Sequence, residues 1–288
     1  MNDVGFIGTG VMGASMAGHL MEAGYTLHLY TRTKAKADTL VKNGAVWHES
    51  PADLARHADA VITMVGYPED VESLYFGEDG LIRQAKQGAL LIDMTTSSPV
   101  LAERIAAEAD AAGLHALDAP VSGGDIGARN AELAIMCGGG ARAFTLGEAL
   151  FRIMGKKIEH FGGAGSGQFT KMANQIAVAG TMLGVAESLA FAEKAGLNTE
   201  QVLQTIETGA AGSFSLTKLG RRMIADDMEP GFYIKHFIKD MSIALDAAEE
   251  MKLELPGLSL ARKLYSQLAE DGRADEGTQA LIRWYEGG

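Results

Sequence analysis

The sequence predicts an α/β protein, with an N-terminal Rossmann-type doubly wound sheet followed by an all-α domain and a long interdomain helix. Three observations carry this. Short apolar runs alternate with helical stretches through the first half of the chain, which is the rhythm of βαβ units around a parallel sheet. A Gly-x-Gly-x-x-Gly loop joins the first apolar run to the first helical stretch. After Phe161 no strand pattern follows, and helix-forming residues take over.

Candidate strands cover residues 4–7, 26–30, 60–65, 89–94, 115–119 and 132–137. Several are apolar throughout, as expected where helices cover both faces of a sheet. Between them, 12–23, 34–43, 52–57, 68–76 and 99–112 read as helices. Residues 166–194 then form one stretch without proline, long enough for seven or eight turns. Further helices are expected over 199–207, 215–225, 237–251, 256–270 and 277–284. The run Gly162-Gly163-Ala164-Gly165-Ser166-Gly167 marks the domain boundary, giving 1–162 as an NADP-binding Rossmann domain and 163–288 as a helical substrate and oligomerisation domain.

A formal charge of −12 argues against non-specific nucleic-acid binding, which needs cations to neutralise phosphates. A local cation cluster could still receive a small carboxylate substrate. Cys137 is the one cysteine, so an intrachain disulfide and a multi-cysteine metal site are excluded; it reads as a buried hydrophobe. No basic-then-apolar leader is visible and no apolar run approaches a membrane span, so a cytoplasmic protein with no membrane partner is expected.

Gly8-Thr9-Gly10-Val11-Met12-Gly13 supplies the strongest chemical signal. Gly8 permits the tight turn, Gly10 lets backbone approach a pyrophosphate, and Gly13 lets helix pack on sheet. Val11 and Met12 then lie where a helix N-terminus presents free N–H groups to phosphate. The second strand ends Thr31-Arg32-Thr33 with no acid before Asp38. An acid would favour the ribose hydroxyl of NAD. Arg32, with Thr31 or Thr33, instead suits a 2′-phosphate, so NADP is expected, with NAD possible.

Asp118-Ala119-Pro120-Val121-Ser122-Gly123-Gly124 follows a later strand, where open α/β sheets place ligands. The Ser122 hydroxyl and the N–H groups of Gly123 and Gly124 could hold a carboxylate; a plain turn is the other reading. In the long helix, Lys171, Asn174 and Gln175 share one face by spacing. By helix pattern alone Lys171 reads as a solvated lysine before it reads as an acid/base. Were it buried, its proton affinity would fall towards the catalytic range.

Taken together, Gly5 to Gly13, Asp118 to Gly124, Gly165-Ser166-Gly167-Gln168 with Lys171 and Asn174, and Lys239-Asp240 occur in one order along essentially the whole chain. That set resembles the β-hydroxyacid dehydrogenase family of 3-hydroxyisobutyrate dehydrogenases, tartronate semialdehyde reductases and glyoxylate/succinic semialdehyde reductases. The resemblance implies an NAD(P)-dependent oxidoreductase acting on CH–OH groups, with Lys171 as general acid/base. It implies that Ser122, Gly123, Gly124 and Asn174 hold the substrate. It places Val65 and Pro68 by the adenosine half, Thr96 at the nicotinamide ribose and Lys239 near the nicotinamide. Thr9, His19 and Gln175 depart from residues common in the family. The run Phe232-Tyr233-Ile234-Lys235-His236 is similar to the semialdehyde reductase branch; Lys235 as a solvated charge and His236 as a packing residue are equally open.

Two rival functions remain: an imine reductase on the same scaffold, which generally carries Asp or Tyr in place of Lys171, and a cofactor-binding module without turnover. His19, His28, His48, His57, His115 and His160 are scattered without metal-ligand spacing, so no metal is expected. An amphipathic helix as long as 166–194 implies self-association as a homodimer or homotetramer.

Overall fold

The structure, a computed structural model, describes residues 1–286. Its strands are β1 (Asp3–Ile7), β2 (Thr26–Tyr30), β3 (Val46–Trp47), β4 (Ala60–Thr63), β5 (Leu90–Asp93), β6 (His115–Asp118), β7 (Val121–Ser122), β8 (Leu133–Gly139) and β9 (Gly155–His160). They form one sheet in the order β3-β2-β1-β4-β5-β6-β8-β7, with β9 also on β8. The first six are parallel and β8 runs antiparallel to β6. The order 3-2-1-4-5-6 is that of a doubly wound dinucleotide fold.

Among them lie α1 (Gly13–Glu22), α2 (Asp38–Lys42), α3 (Pro51–His57), α4 (Pro68–Phe76), α5 (Leu81–Gln84), α6 (Pro99–Ala111), α7 (Gly124–Arg129) and α8 (Ala141–Met154). Helix starts are written in the sequence. Ser50 accepts from Asp53 N at 3.1 Å ahead of Pro51, and Ser98 precedes Pro99 in the same way. A hydroxyl cap satisfies a first-turn N–H, and proline at the first helical position sacrifices none that was bonded. Both faces of the sheet are buried: Val4, Phe6, Leu29 and Ile92 enter one core, Ile7, Val61 and Leu91 the other. Alternate side chains of a strand point to opposite faces, so uniformly apolar strands are what this sandwich requires.

The chain divides into compact units at Met1–Lys171 and from Met172 onward, a division inside α9 (Ser166–Lys194). The second unit adds α10 (Thr199–Ile206), α11 (Arg221–Ile224), α12 (Ile234–Glu250), α13 (Pro256–Leu268) and α14 (Ile282–Glu286), around a core of Met182, Leu189, Phe237, Met241, Leu264 and Tyr265.

Three features depart from the sequence reading. β3 and β7, at two residues each, are too short to show a period, and β9 is a polar, mostly exposed strand. Helices α7 and α8 were also not among the expected elements. Finally, α9 does contain a stretch long and apolar enough by composition to cross a bilayer, 44% of it buried in the protein.

Candidate cofactor and active site

The glycine loop leaves the carboxyl end of β1 and enters α1. Two of its glycines are required by the protein itself. Gly8 has φ +101°, and a Cβ there would lie 2.2 Å from the Met64 carbonyl oxygen; one on Gly13 would lie 1.9 Å from that of Gly8. Gly10 is different: a Cβ built on it meets nothing within 4 Å. Packing therefore does not explain Gly10, whereas close approach of a ligand does. Beside it Thr9 Oγ1 is buried without a hydrogen-bond partner among the described residues. Val11 is exposed and Met12 half-buried before α1, where first-turn N–H groups lack intrahelical acceptors. These features fit a bound pyrophosphate.

At the end of β2, Thr31 is buried, whereas Arg32 and Thr33 are exposed. Thr31 is thus the less available of the two hydroxyls. The Arg32 guanidinium donates to Asp70 Oδ1 at 2.9 Å, which tethers a side chain otherwise 78% exposed. Val65 follows β4, its N–H donating to Thr95 Oγ1 at 3.0 Å, and Pro68 opens α4. Thr96 follows β5 and is half-buried. All of these leave carboxyl ends of parallel strands, where open α/β sheets bind ligands.

Ser122 closes β7 and pairs in register with Ala134. Gly123 (φ +134°) and Gly124 (φ +62°) make the turn into α7, a conformation L side chains resist. The reason for Asp118 in this motif was not legible in the sequence. Its carboxylate accepts from Gly165 N at 2.9 Å and Gln168 N at 2.8 Å, holding the first turn of α9. Gln168 in turn accepts from Ser97 N at 3.0 Å and donates to Thr95 O at 2.8 Å. Gly167 is glycine because a Cβ would lie 2.3 Å from the Met136 carbonyl oxygen. The Gly-Ser-Gly-Gln run is therefore a joint that fixes the start of the lysine helix.

Lys171 is buried at 7% exposure, which corrects the solvated lysine favoured by helix pattern. Gln168 and Gln175, at helical spacings from it, are buried too, so one side of α9 is a buried polar stripe. Burial of an ammonium demands compensating partners or a role.

Within the second unit, Asn174 Nδ2 donates to Gln175 Oε1 at 2.8 Å, and Gln175 Nε2 donates to Asp240 Oδ2 at 2.6 Å. Lys239 Nζ lies 2.8 Å from Asp240 Oδ1. This chain of contacts ties the proposed substrate and cofactor residues to one buried carboxylate, whose partner Gln175 had only a helix-face position in the sequence. Lys235 pairs with Asp275 and lies over the Tyr233 ring, and His236 meets the same ring edge-on.

Two buried acids complete the first unit. Asp93 and Asp118 pair in register across β5 and β6, and burial pushes each carboxyl up to about 6. Burial also pushes the Cys137 thiol up to about 12, as befits a packed hydrophobe.

Comparison with known proteins gives two family models. The NAD binding domain of 6-phosphogluconate dehydrogenase matches residues 3–163, and the NAD-binding domain of NADP-dependent 3-hydroxyisobutyrate dehydrogenase matches 165–285. An uncharacterised oxidoreductase of Bacillus subtilis is 56% identical over 97% of each chain. A probable 3-hydroxyisobutyrate dehydrogenase-like mitochondrial protein of Arabidopsis thaliana is 48% identical over 97% of this chain and 84% of its own. A 2-hydroxy-3-oxopropionate reductase of Escherichia coli is 39% identical over 98% and 97%. Among solved structures, 3-hydroxyisobutyrate dehydrogenase of Mycobacterium tuberculosis with L-serine superposes with TM-score 0.89 at 31% identity, covering 98% of both chains. An imine reductase of Myxococcus stipitatus shares the fold, with TM-score 0.67 at 20% identity over 99% of both.

Proposed function

The chain belongs to the β-hydroxyacid dehydrogenase family of NAD(P)-dependent oxidoreductases, and from that premise we propose that it interconverts a short hydroxy acid and its aldehyde acid, with NADP(H) as cofactor. The observation that carries this reading is the buried Lys171 within the buried polar stripe of an otherwise apolar helix.

When bound, the nicotinamide gives or takes the hydride at its C4. The remaining steps belong to the chain. Gly8, Gly10 and Gly13 admit the pyrophosphate, with Val11 and Met12 supplying N–H groups. Arg32 and Thr33 meet the 2′-phosphate, Asp70 keeping the guanidinium at the end of β2 until phosphate competes for it. Val65, Pro68 and Thr96 border the adenosine and ribose, and Lys239 the nicotinamide. Ser122, Gly123, Gly124 and Asn174 hold the substrate carboxylate and oxygen. During reduction Lys171 delivers a proton to the carbonyl oxygen; during oxidation it receives the hydroxyl proton.

Lys171 itself counts against imine reduction, and the imine reductase likeness is one of fold alone. We propose further that the protein works as a homo-oligomer. The deciding experiment assays glyoxylate, succinic semialdehyde, tartronate semialdehyde and 3-hydroxyisobutyrate with NADPH and NADH in parallel, for wild type and Lys171→Ala. We expect turnover of at least one acid with NADPH preferred, and loss of roughly 10²–10⁴-fold in the variant, the usual worth of a general acid, with NADPH affinity retained. Near-normal turnover by the variant overturns the lysine assignment. No turnover by wild type on any acid favours the non-catalytic module.

A further inference from the structure

Around β2 the fold gathers three histidines that sequence spacing left apart. Asp3 opens β1, at the end away from the glycine loop, and His28 is the central residue of β2. The register His28↔Val46 brings β3 alongside β2, and His48 follows it directly. Asp53 and His57 come from α3. His28 Nε2 donates to Asp3 Oδ1 at 3.1 Å and His48 Nδ1 donates to Asp53 Oδ2 at 2.7 Å; His28 Nδ1 and His48 Nε2 are 2.8 Å apart.

The relay Asp3–His28–His48–Asp53 therefore runs through both rings and ends on a carboxylate at each side. Lys86, the neighbouring ammonium, is engaged by Asp59 and the His57 carbonyl and does not serve Asp53.

We propose that His48, Asp53 and His57 form a divalent transition-metal site of the zinc, cobalt and nickel class. One ligand atom from each residue lies within 4.8 Å of the others. Four-coordinate zinc at bonds of about 2.0–2.1 Å needs its ligands about 3.4 Å apart. Closure therefore asks about an ångström of the His57 side chain, which is 54% exposed and whose Nδ1 donates to the Asp53 carbonyl oxygen at 2.8 Å, a bond that coordination through that nitrogen exchanges for the metal. On binding, His48 coordinates as a neutral imidazole through Nδ1, with its one proton on Nε2. Its Nε2–H then donates to His28 Nδ1, and His28 Nε2–H to Asp3. Such a carboxylate-terminated outer shell fixes the tautomer and raises ligand basicity. Two imidazoles, one carboxylate and a solvent-facing position suit a borderline ion rather than calcium or magnesium.

The test titrates chelator-stripped protein with zinc chloride by calorimetry and with cobalt chloride by visible absorption. His57→Gln and His48→Gln are run beside wild type. We expect one equivalent bound by wild type. Affinity should drop at least tenfold in both variants, and zinc should raise the thermal midpoint of wild type but not of His57→Gln. His57 is on the surface, so that variant remains a folded control even if His48→Gln does not. Absence of saturable binding to wild type, or undiminished binding by His57→Gln, overturns the proposal.

Discussion

Residues of the glycine loop separate two reasons for glycine. Gly13 and Gly8 are fixed by the protein's own backbone, Gly10 by nothing in it. Gly13→Ala should destabilise the fold by about 1–3 kcal/mol or more, the usual cost of overpacking, seen as a lower denaturation midpoint. Gly10→Ala should leave that midpoint nearly unchanged and weaken NADPH binding by roughly tenfold or more, about 1.4 kcal/mol, seen by quenching of cofactor fluorescence. Equal effects on stability from the two substitutions would remove the distinction. The loop was legible in the sequence because each glycine sits at a fixed offset between a strand and a helix. Arg32 was legible for the same reason, but not its tether, because Asp70 lies in the first turn of α4, distant in sequence. The environment of Lys171 was not legible either: its burial depends on tertiary packing, which no helical period encodes.

Elements set the electrostatics of the buried acids. Asp93 and Asp118 end neighbouring strands and face each other only because β5 and β6 pair in parallel register. Their carboxyls, raised from 3.8 to about 6 by burial, bind protons more tightly folded than unfolded. Stability from this source is fully present below about pH 4 and is lost as pH rises through 6, on the order of 3 kcal/mol for one such acid. Asp53 and Asp59, held low by hydrogen bonds, act oppositely and lose their contribution as pH falls through their own folded values. Asp93→Asn isolates the first effect. Its amide oxygen keeps the donors Thr63 Oγ1 and Thr95 N, now 2.8 and 3.1 Å from Asp93 Oδ1, while the charge is gone. Urea midpoints measured from pH 4 to 7 should diverge in favour of the variant as pH rises; parallel curves would refute the assignment. The longer apolar strands were readable from composition, but their register was not. Register alone brings these two acids together and gathers His28 with His48.

For the whole molecule, the open matter is what covers α9. Its exposed positions include Ala173, Ala177, Gly180, Gly184, Glu187 and Phe191, at spacings of three and four that align them on one side. Glycine inside a helix costs about 1 kcal/mol relative to alanine, so two on an exposed helix face need a compensating reason. Intramolecular packing offers none, since a Cβ on Gly180 or Gly184 meets nothing within 4 Å. Close approach of a second helix would supply it, and Phe191, 75% exposed, extends the same face. A second copy of the chain is the partner expected from the sequence, and a net charge of −12 means that apolar contact must outweigh repulsion between copies. Gly184→Trp fills the space a partner helix would need, from a position whose Cβ meets nothing within 4 Å in its own chain. In sedimentation velocity, wild type should run as a dimer or larger species and the variant as a smaller one, with helical circular dichroism preserved. A monomeric wild type, or a variant that sediments unchanged, would show that this face is not where copies meet.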